Sequence, residues 1–370
     1  MSLSIPTFRP RLPSAEALAP LLREIDENRW YSNFGPLVQR FESQLAKYFR
    51  TTDRRVVTVA NATAGIALAL QEVARGNHGL CMMPAWTHIA PAIATINAGL
   101  TPWFVDVDPK TWQLTPAKAM RYLSASAERP QAIIVVSPFG GVVDTAGWSA
   151  FSVEADIPVV VDAAAAFDAV RPEKSLLQVV SLHATKVLGV GEGGFILTGD
   201  DHAGERLHRM SNFGLDRNRI SIMPGSNAKM SEYAAAVGLV ALEMWPLMRA
   251  GLASTARRFL DALSHIPEVL PAPNFNGTCV TNTGNVVLPT RCADAVIRRL
   301  LSRGIGARKW WPTGCHRHPI LAHYPHEDLP VTEELSDRVI GLPFFPDITD
   351  EQINFVMTHL AASVEVQPIE

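Results

Sequence analysis

Between about residues 55 and 200 the chain alternates short apolar runs with helix-like segments, and this alternation constrains the fold most strongly. The candidate strands are VVTV (56–59), CMMP (81–84), PWFVDV (102–107), AIIVVSPF (132–139), PVVVDAA (158–164), QVVSL (178–182) and GGFILTG (193–199). Helical stretches such as 63–75 and 88–99 separate them. Runs that are apolar throughout indicate strands covered on both faces. The pattern predicts an α/β fold with a largely parallel sheet between helices.

The last third of the chain has fewer strand signals. Residues 231–266 predict a long helix, in which Pro246 marks a break or kink. The later predicted elements are a strand at 285–288 and helices at 293–304 and 350–364. The predicted division is a large domain over residues 1–250, with an N-terminal arm over 1–30, and a small C-terminal domain over 251–370.

Composition and charge exclude several classes of protein. Hydrophobic residues are 47% and charged residues 19% of the 370, which excludes a disordered chain. Lys and Arg total 33 against 36 Asp and Glu, and this balance argues against nucleic acid or a membrane surface as a partner. The N-terminus has no apolar signal segment. The four cysteines lack CxxC spacing and predict reduced, mostly buried thiols. We therefore expect a soluble cytoplasmic protein.

The segment from 178 to 199 is the most informative about the chemistry of a possible active site. A strand ends at Ser181, a turn carries Lys186, and a glycine-rich patch leads into the next strand. Glycine allows a ligand to approach the backbone closely. A lysine removed from water there can have a lowered pKa and form a Schiff base with an aldehyde. The residues alone leave a solvated surface lysine as the alternative.

Asp162 ends the apolar run IPVVVD, where a carboxylate without a partner is unfavourable. Its partner is either a helix N-terminus or salt bridge, or the cationic nitrogen of a cofactor. A Schiff-base lysine together with such an acid is what pyridoxal phosphate requires.

The strand at 56–59 leads into Asn61-Ala62-Thr63-Ala64-Gly65 and a helix. Small residues and a threonine at a helix start offer free amides and a hydroxyl to an anion. The segment is neither a Walker A loop nor a GxGxxG fingerprint, and alone it also fits an ordinary helix cap. Beside a phosphate-bearing cofactor it predicts the seat of the phosphate.

Six segments occur together in a characteristic order and spacing. They are YSNFGPLVQRFE (31–42), NATAGIALAL (61–70), VVVDAAAAF (159–167), SLHATK with GEGG (181–194), GSNAKMSEYAAAVGL (225–239) and LPFFPDIT (342–349). Over residues 28–362 the chain resembles the DegT/StrS-type sugar aminotransferases, which are fold-type-I pyridoxal-phosphate enzymes. The resemblance implies a large domain with a mixed, mostly parallel sheet sandwiched by helices, and a smaller C-terminal α+β domain.

The resemblance also implies a role for individual residues. Lys186 matches the lysine of the internal aldimine, and Asp162 matches the acid at the pyridine nitrogen. The residues that match phosphate contacts are Ala62, Thr63 and Ser181. Asn227 matches an asparagine that reaches the phosphate from the neighbouring subunit, which implies a homodimer with shared active sites. His88 stands where the family usually has an aromatic residue stacked on the cofactor ring.

Three departures from the family pattern concern the substrate more than the cofactor. Ala165 replaces a glutamine near the cofactor oxygen. Residues 211–214 are Ser-Asn-Phe-Gly in place of Arg-Asn-His-Gly, and residues 227–229 are Asn-Ala-Lys in place of Asn-Tyr-Arg.

The resemblance implies transamination, since relatives that dehydrate sugars have histidine in place of Lys186. The amino group is expected to move, with ping-pong kinetics, from L-glutamate to a keto group of a deoxy sugar linked to dTDP, UDP or GDP, for polysaccharide biosynthesis. Two alternatives stay open. One is a keto sugar or cyclitol without a nucleotide, and the other is a non-catalytic sensor that binds the cofactor, against which Lys186 and Asp162 argue.

A histidine-rich stretch at 314–330 and two tryptophans complete the candidates. The stretch contains Cys315, His316, His318, His323 and His326, in a spacing that matches no compact zinc finger. We expect no metal there, and interpret it as a surface loop or as a source of substrate or interface contacts. Trp310 and Trp311 are expected to pack in the core or to stack on a nucleotide base.

Overall fold

A computed structural model describes residues 4–74, 78–273, 275 and 279–365, and its centre is a sheet of seven strands. The strands are β1 (Val56–Val59), β2 (Leu80–Pro84), β3 (Thr101–Val105), β4 (Ala132–Val136), β5 (Val159–Asp162), β6 (Leu176–Ser181) and β7 (Gly194–Leu197). Their order is β1-β7-β6-β5-β4-β2-β3, in which β7 alone runs antiparallel to its neighbours. The predicted α/β fold with a mostly parallel sheet is confirmed, as are all seven predicted strands.

Helices cover both faces of this sheet. They are α1 (Ala15–Asn28), α2 (Pro36–Phe49), α3 (Ala62–Val73), α4 (Ala90–Asn97), α5 (Pro116–Ala125), α6 (Thr145–Ala155) and α7 (Asp201–Met210). Side chains alternate between two apolar cores: Val159 and Val161 of β5 lie in one, and Val160 lies in the other. The continuous apolar run of β5 follows from this double burial.

Helix α8 (Glu232–Leu263) continues through Pro246, so the break predicted there does not occur. Proline has no amide hydrogen, so one hydrogen bond within the helix is missing at this point. Packing of α8 against α1 and α2 keeps the helix continuous there. By length and composition alone α8 is also long and apolar enough to cross a membrane. Core helices can have the same length and composition, and here Trp245 and Phe259 are buried in the protein core.

The C-terminal part contains a second, antiparallel sheet. Its strands are β8 (Leu270–Pro271), β9 (Gly284–Val287) and β10 (Val339–Leu342), and its helices are α9 (Ala293–Ser302), α10 (Pro330–Arg338) and α11 (Asp350–Glu365). The predicted strand and both predicted helices are confirmed, whereas β8, β10 and α10 were not predicted from the sequence. The N-terminal arm pairs with this part, since the amide of Gly306 donates to the carbonyl of Ile5 at 2.8 Å. The boundary at residue 250 falls inside α8, and the division into two domains stays a prediction.

Candidate active site

The carboxyl ends of β5 and β6 open onto a cavity of about 720 Å³. Six of the predicted site residues line it, namely Ala62, Thr63, His88, Asp162, Ser181 and Lys186. They are at or shortly after the ends of β1, β2, β5 and β6, which lie far apart in sequence. A parallel sheet brings such positions to one edge, where ligands of α/β proteins bind.

Lys186 and Asp162 influence each other's ionisation in this cavity. Removal from water lowers the pKa of Lys186, and the negative charge of Asp162 partly opposes this shift. Burial raises the pKa of Asp162 to about 6, although the amide of Ala164, 3.0 Å from its Oδ1, and the charge of Lys186 both favour the carboxylate. A lysine that releases its proton readily is a nucleophile and a base. A cation placed beside Asp162 would return it to the charged form.

The N-terminus of α3 is built to face a negative group. Asn61 caps the helix, with its Oδ1 accepting the amide of Ala64 at 2.9 Å. The amides of Ala62 and Thr63 belong to the first turn, which has no preceding turn to accept them, and both residues line the cavity. Gly194 of β7 lies so close that a Cβ there would be 3.0 Å from the nitrogen of Ala62. These features fit a phosphate group.

Hydrogen bonds within the turn fix the position of Lys186. The amide of Lys186 donates to the carbonyl of His183 at 2.8 Å. The Nδ1 of His183 accepts the amide of Thr185 at 3.2 Å and lies 2.7 Å from the hydroxyl of Thr185. Ser181, at the end of β6, accepts the amide of His183 at 3.2 Å. The lysine therefore projects from a turn whose backbone is held on both sides.

His88 is accessible from the cavity and its Nδ1 accepts the amide of Ala90 at 3.2 Å, so the ring presents Nε2 to its surroundings. Partial removal from water lowers the pKa of His88, and the charges of Lys186 and His318 lower it further. The imidazole is consequently neutral near pH 7, as stacking on a cofactor ring would favour. The neighbouring Thr87 lines the same cavity, and its buried hydroxyl has no hydrogen-bond partner among the described residues.

Aromatic side chains form one wall of the cavity. The rings of Phe139 and Trp311 stack with centroids 4.1 Å apart, and Trp86 meets Trp311 edge-on at 5.2 Å. Trp311 is therefore packed between two rings, which agrees with the core-packing alternative. Trp310 lines the cavity as well, with Phe8 of the N-terminal arm 6.1 Å away.

The cavity also contains residues that the sequence analysis did not identify. Apart from Thr87, they include Phe139, Glu192, Asn282, Thr283 and Arg308. Glu192 lies in the GEGG segment and Phe139 ends the strand predicted over 132–139, but neither had a predicted role in the site. Asn282, Thr283 and Arg308 come from the C-terminal part of the chain, so only the tertiary structure brings them here. Ala165, in place of the family's glutamine, lines the cavity without a polar side chain.

Asn227 lies outside this cavity. Its side chain is exposed, and its Oδ1 accepts a hydrogen bond from the Nζ of Lys229 at 2.6 Å. The same Nζ is 4.9 Å from the ring of Phe213. The two segments that depart from the family pattern therefore meet on one exposed surface. The role of Asn227 in the cavity of a second subunit stays a prediction.

The histidine-rich segment packs behind the cavity wall. The thiol of Cys315 is buried and donates to the carbonyls of Thr87 and His88, at 3.5 and 3.6 Å. His316 and His326 have ring centroids 5.4 Å apart. Within residues 4–74, 78–273, 275 and 279–365, no three His, Cys, Asp or Glu residues are grouped to hold a metal ion.

Comparisons with known proteins agree with this geometry. The sequence model of the DegT/DnrJ/EryC1/StrS aminotransferase family matches residues 14–361. The chain is 30% identical over 373 residues to protein Rv3402c of Mycobacterium tuberculosis, covering 94% of this chain and 87% of that protein. A putative PLP-dependent aminotransferase from Bacillus cereus superposes with a TM-score of 0.90 at 28% identity, covering 96% and 99% of the two chains. DesI, crystallised in the presence of its TDP-sugar product, gives a TM-score of 0.84 at 30% identity, covering 98% and 93%.

Proposed function

The chain belongs to the DegT/DnrJ/EryC1/StrS aminotransferase family and uses pyridoxal phosphate, and we propose that it transfers an amino group from L-glutamate to a keto group of a nucleotide-linked deoxy sugar. The observation behind this proposal is the convergence of Lys186, Asp162 and the N-terminus of α3 on one cavity. The likeness to DesI, whose crystals contained its TDP-sugar product, supports a nucleotide-linked sugar as the acceptor.

The residues of the cavity fit the three functional parts of pyridoxal phosphate. Lys186 would hold its aldehyde carbon, and Asp162 would face its ring nitrogen. The phosphate would bind at the start of α3, with Ala62, Thr63 and Ser181 as donors. When bound, the cofactor supplies an electron sink that lets the Cα proton of an amino acid leave.

Lys186 is the group that we propose moves this proton. Desolvation lowers the pKa of its amine, so a larger fraction is neutral and able to accept a proton at physiological pH. Its turn is held by backbone hydrogen bonds, so the amine stays within reach of the same site in both half-reactions. Because donor and acceptor use one cavity in succession, ping-pong kinetics follow.

The aromatic wall is proposed to receive the acceptor sugar. Phe139, Trp310 and Trp311 line the cavity, and the C–H face of a sugar ring packs well on aromatic side chains. Deoxygenation of the sugar enlarges its apolar face, so this wall favours a deoxy sugar. Ala165 leaves additional room beside it.

We further propose a homodimer in which Asn227 reaches the partner's cavity. The segment around Asn227 exposes three large apolar side chains, since Phe213, Ile220 and Ile222 are 49%, 59% and 54% exposed. Such a patch on a single chain is typical of an interface, and a two-fold axis would place each copy's patch against the other. The enzyme is proposed to act in the cytoplasm, where it would supply amino sugars for polysaccharide biosynthesis.

The proposal is tested in two stages with the purified protein. In the first, pyridoxal phosphate is added and its visible absorbance is followed before and after L-glutamate. We expect a yellow band that disappears with the amino acid. A band that no amino acid changes would contradict an aminotransferase and favour a sensor that binds the cofactor.

In the second stage the aminated enzyme is offered keto-deoxy sugars linked to dTDP, UDP or GDP, alongside free keto sugars and a keto cyclitol. Return of the yellow band reports transfer to the acceptor. We expect it with a nucleotide-linked sugar. Return with the free sugars or the cyclitol alone would replace the nucleotide part of the proposal and retain the aminotransferase.

A further inference from the structure

Among the residues that the structure describes, the cavity wall carries one cation without an ion-pair partner. Of the charged residues lining the cavity, Lys186 and Asp162 interact electrostatically, and Glu192 is 3.5 Å from the Nε2 of His183. Arg308 is an exposed residue that also lines the cavity, and it takes part in no ion pair within 4.0 Å among the described residues. We propose that Arg308 binds a carboxylate of the amino-acid donor. The inference rests on the proposed function, since it concerns the donor in the same cavity.

Arg308 is held in a defined position at its backbone. Its amide and carbonyl pair with the carbonyl and amide of Gly341 in β10, at 3.1 and 2.7 Å. Its Cζ lies 4.7 Å from the ring centroid of Trp310, so the indole supports one face of the guanidinium. Stacking on an aromatic face leaves the N–H groups at the edge of the guanidinium available to a ligand.

Trp310, which supports the arginine, is itself fixed. A Cβ on Gly341 would come within 2.2 Å of its Nε1, so only glycine leaves space for the indole. The ring of Phe8 lies edge-on to the indole of Trp310, with ring centroids 6.1 Å apart. The N-terminal arm, β10 and the loop before Trp310 thus build a support for one guanidinium.

The chemistry of this group favours a single carboxylate as its ligand. The N–H groups of a guanidinium match the two oxygens of a carboxylate, in a paired and charge-assisted contact. An amino acid that reacts beside Lys186 brings its carboxylate into this cavity. A diphosphate would require more positive charge, but the adjacent Lys309 is already paired with Asp294 at 2.8 Å.

The test compares Arg308→Gln and Arg308→Lys with the natural enzyme loaded with pyridoxal phosphate. Single-turnover bleaching of the cofactor is measured against L-glutamate concentration. We expect Arg308→Gln to raise the half-saturating concentration about 10- to 100-fold, as for loss of a charged hydrogen bond, with a much smaller change in the limiting rate. Arg308→Lys keeps the charge but not the paired geometry, so we expect its half-saturating concentration to lie between those of the natural enzyme and Arg308→Gln. Arg303→Gln, an exposed arginine at the end of α9 that does not line the cavity, is the matched control.

Two further donors identify which carboxylate is bound. L-glutamine has only the α-carboxylate, and 4-aminobutyrate has only the distal one. If Arg308→Gln raises the half-saturating concentrations of L-glutamate and L-glutamine equally and leaves that of 4-aminobutyrate unchanged, Arg308 binds the α-carboxylate. If only the half-saturating concentrations of L-glutamate and 4-aminobutyrate rise, Arg308 binds the distal carboxylate. Calorimetric titration of the aminated enzyme with 2-oxoglutarate gives a readout without turnover, and we expect binding to weaken about tenfold or more in Arg308→Gln.

The inference and the proposed function fail in different ways. If the natural enzyme bleaches with L-glutamate and Arg308→Gln does so at the same half-saturation, the inference is wrong and the aminotransferase stands. If Arg308→Gln instead weakens only the acceptor sugar, the inference is also wrong, because the cation then serves the other substrate. If the natural enzyme responds to no amino acid, both fail. Retained cofactor absorbance and an unchanged melting temperature establish that the variants are folded.

Discussion

Gly194, at the start of β7, lies against the backbone nitrogen of Ala62, the first residue of α3. A Cβ on Gly194 would be 3.0 Å from that nitrogen and 2.9 Å from the carbonyl oxygen of Val180. The strand therefore sets how close the start of α3 comes to the end of β6. The proposed phosphate site, made of the helix amides and Ser181, depends on this distance.

We accordingly expect Gly194→Ala to weaken cofactor binding while the fold is retained. The added methyl group has to displace backbone at the start of α3, and losing the alignment of one or two charge-assisted hydrogen bonds weakens affinity about 10- to 100-fold. The measurement is a fluorescence titration with pyridoxal phosphate. Gly251→Ala is the control, because a Cβ there has its nearest neighbour at 3.8 Å. Equal affinities in the two variants would contradict the role given to Gly194.

Much of the fold and of the lining of the candidate cavity could be predicted from the sequence, because both depend on local patterns. Continuous apolar runs identify the buried strands, and a polar residue at the end of each run is automatically at the edge of the sheet. Asp162 is found in this way, and Thr63 and Lys186 lie shortly after the ends of two such runs. Arg308 is not, since it lies in a segment whose position depends on packing between distant parts of the chain. Phe139 directly follows β4, but its stacking on the distant Trp311 depends on the tertiary structure. Pro246 illustrates the opposite case, because tertiary packing keeps α8 continuous against the local preference of proline.

Lys186→Ala is expected to keep the fold and to abolish transamination. The substitution removes both the group that would hold the cofactor and the proposed proton carrier, and loss of a general base alone reduces rates by about 10² to 10⁴. Turnover is measured with L-glutamate and the acceptor found as described above, and the fold is checked by circular dichroism. Lys174→Ala, an exposed lysine outside the cavity, serves as the control. Normal turnover in Lys186→Ala would refute the assignment of this lysine.

The buried carboxyl group of Glu42 is expected to make the stability of the protein depend on pH. It is buried, and its Oε1 accepts both the amide of Thr58 at 2.9 Å and the hydroxyl of Thr58 at 2.7 Å. Burial raises the pKa of Glu42 to about 7, in spite of these hydrogen bonds. The folded state therefore holds a proton that the unfolded state releases near its ordinary pKa of 4.5.

The difference between the folded and unfolded pKa of Glu42 determines whether stability rises or falls with pH. Between about pH 4.5 and 7 the folded state binds more protons at this site, so its contribution to the free energy of unfolding falls as the pH rises, by up to about 3 kcal/mol. We expect Glu42→Gln to flatten the pH dependence of chemical unfolding in this interval. Glu243→Gln, at an exposed position of α8, is the control. A slope that is the same in Glu42→Gln and the natural protein would show that Glu42 is not the group responsible.

Asn227 offers a test of the shared active site, because its side chain lies outside the cavity of its own chain. In a homodimer with shared sites, each site takes Lys186 from one subunit and Asn227 from the other. Lys186→Ala therefore impairs a subunit's own site, and Asn227→Ala impairs the site of its partner. A mixed dimer then contains one site with both changes and one site with neither. Unfolding and refolding the two variants together yields about half mixed dimers, so about a quarter of the natural activity should return. Each variant refolded alone is the control, and a mixture that shows only the mean of the two separate activities would place Asn227 outside the partner's site.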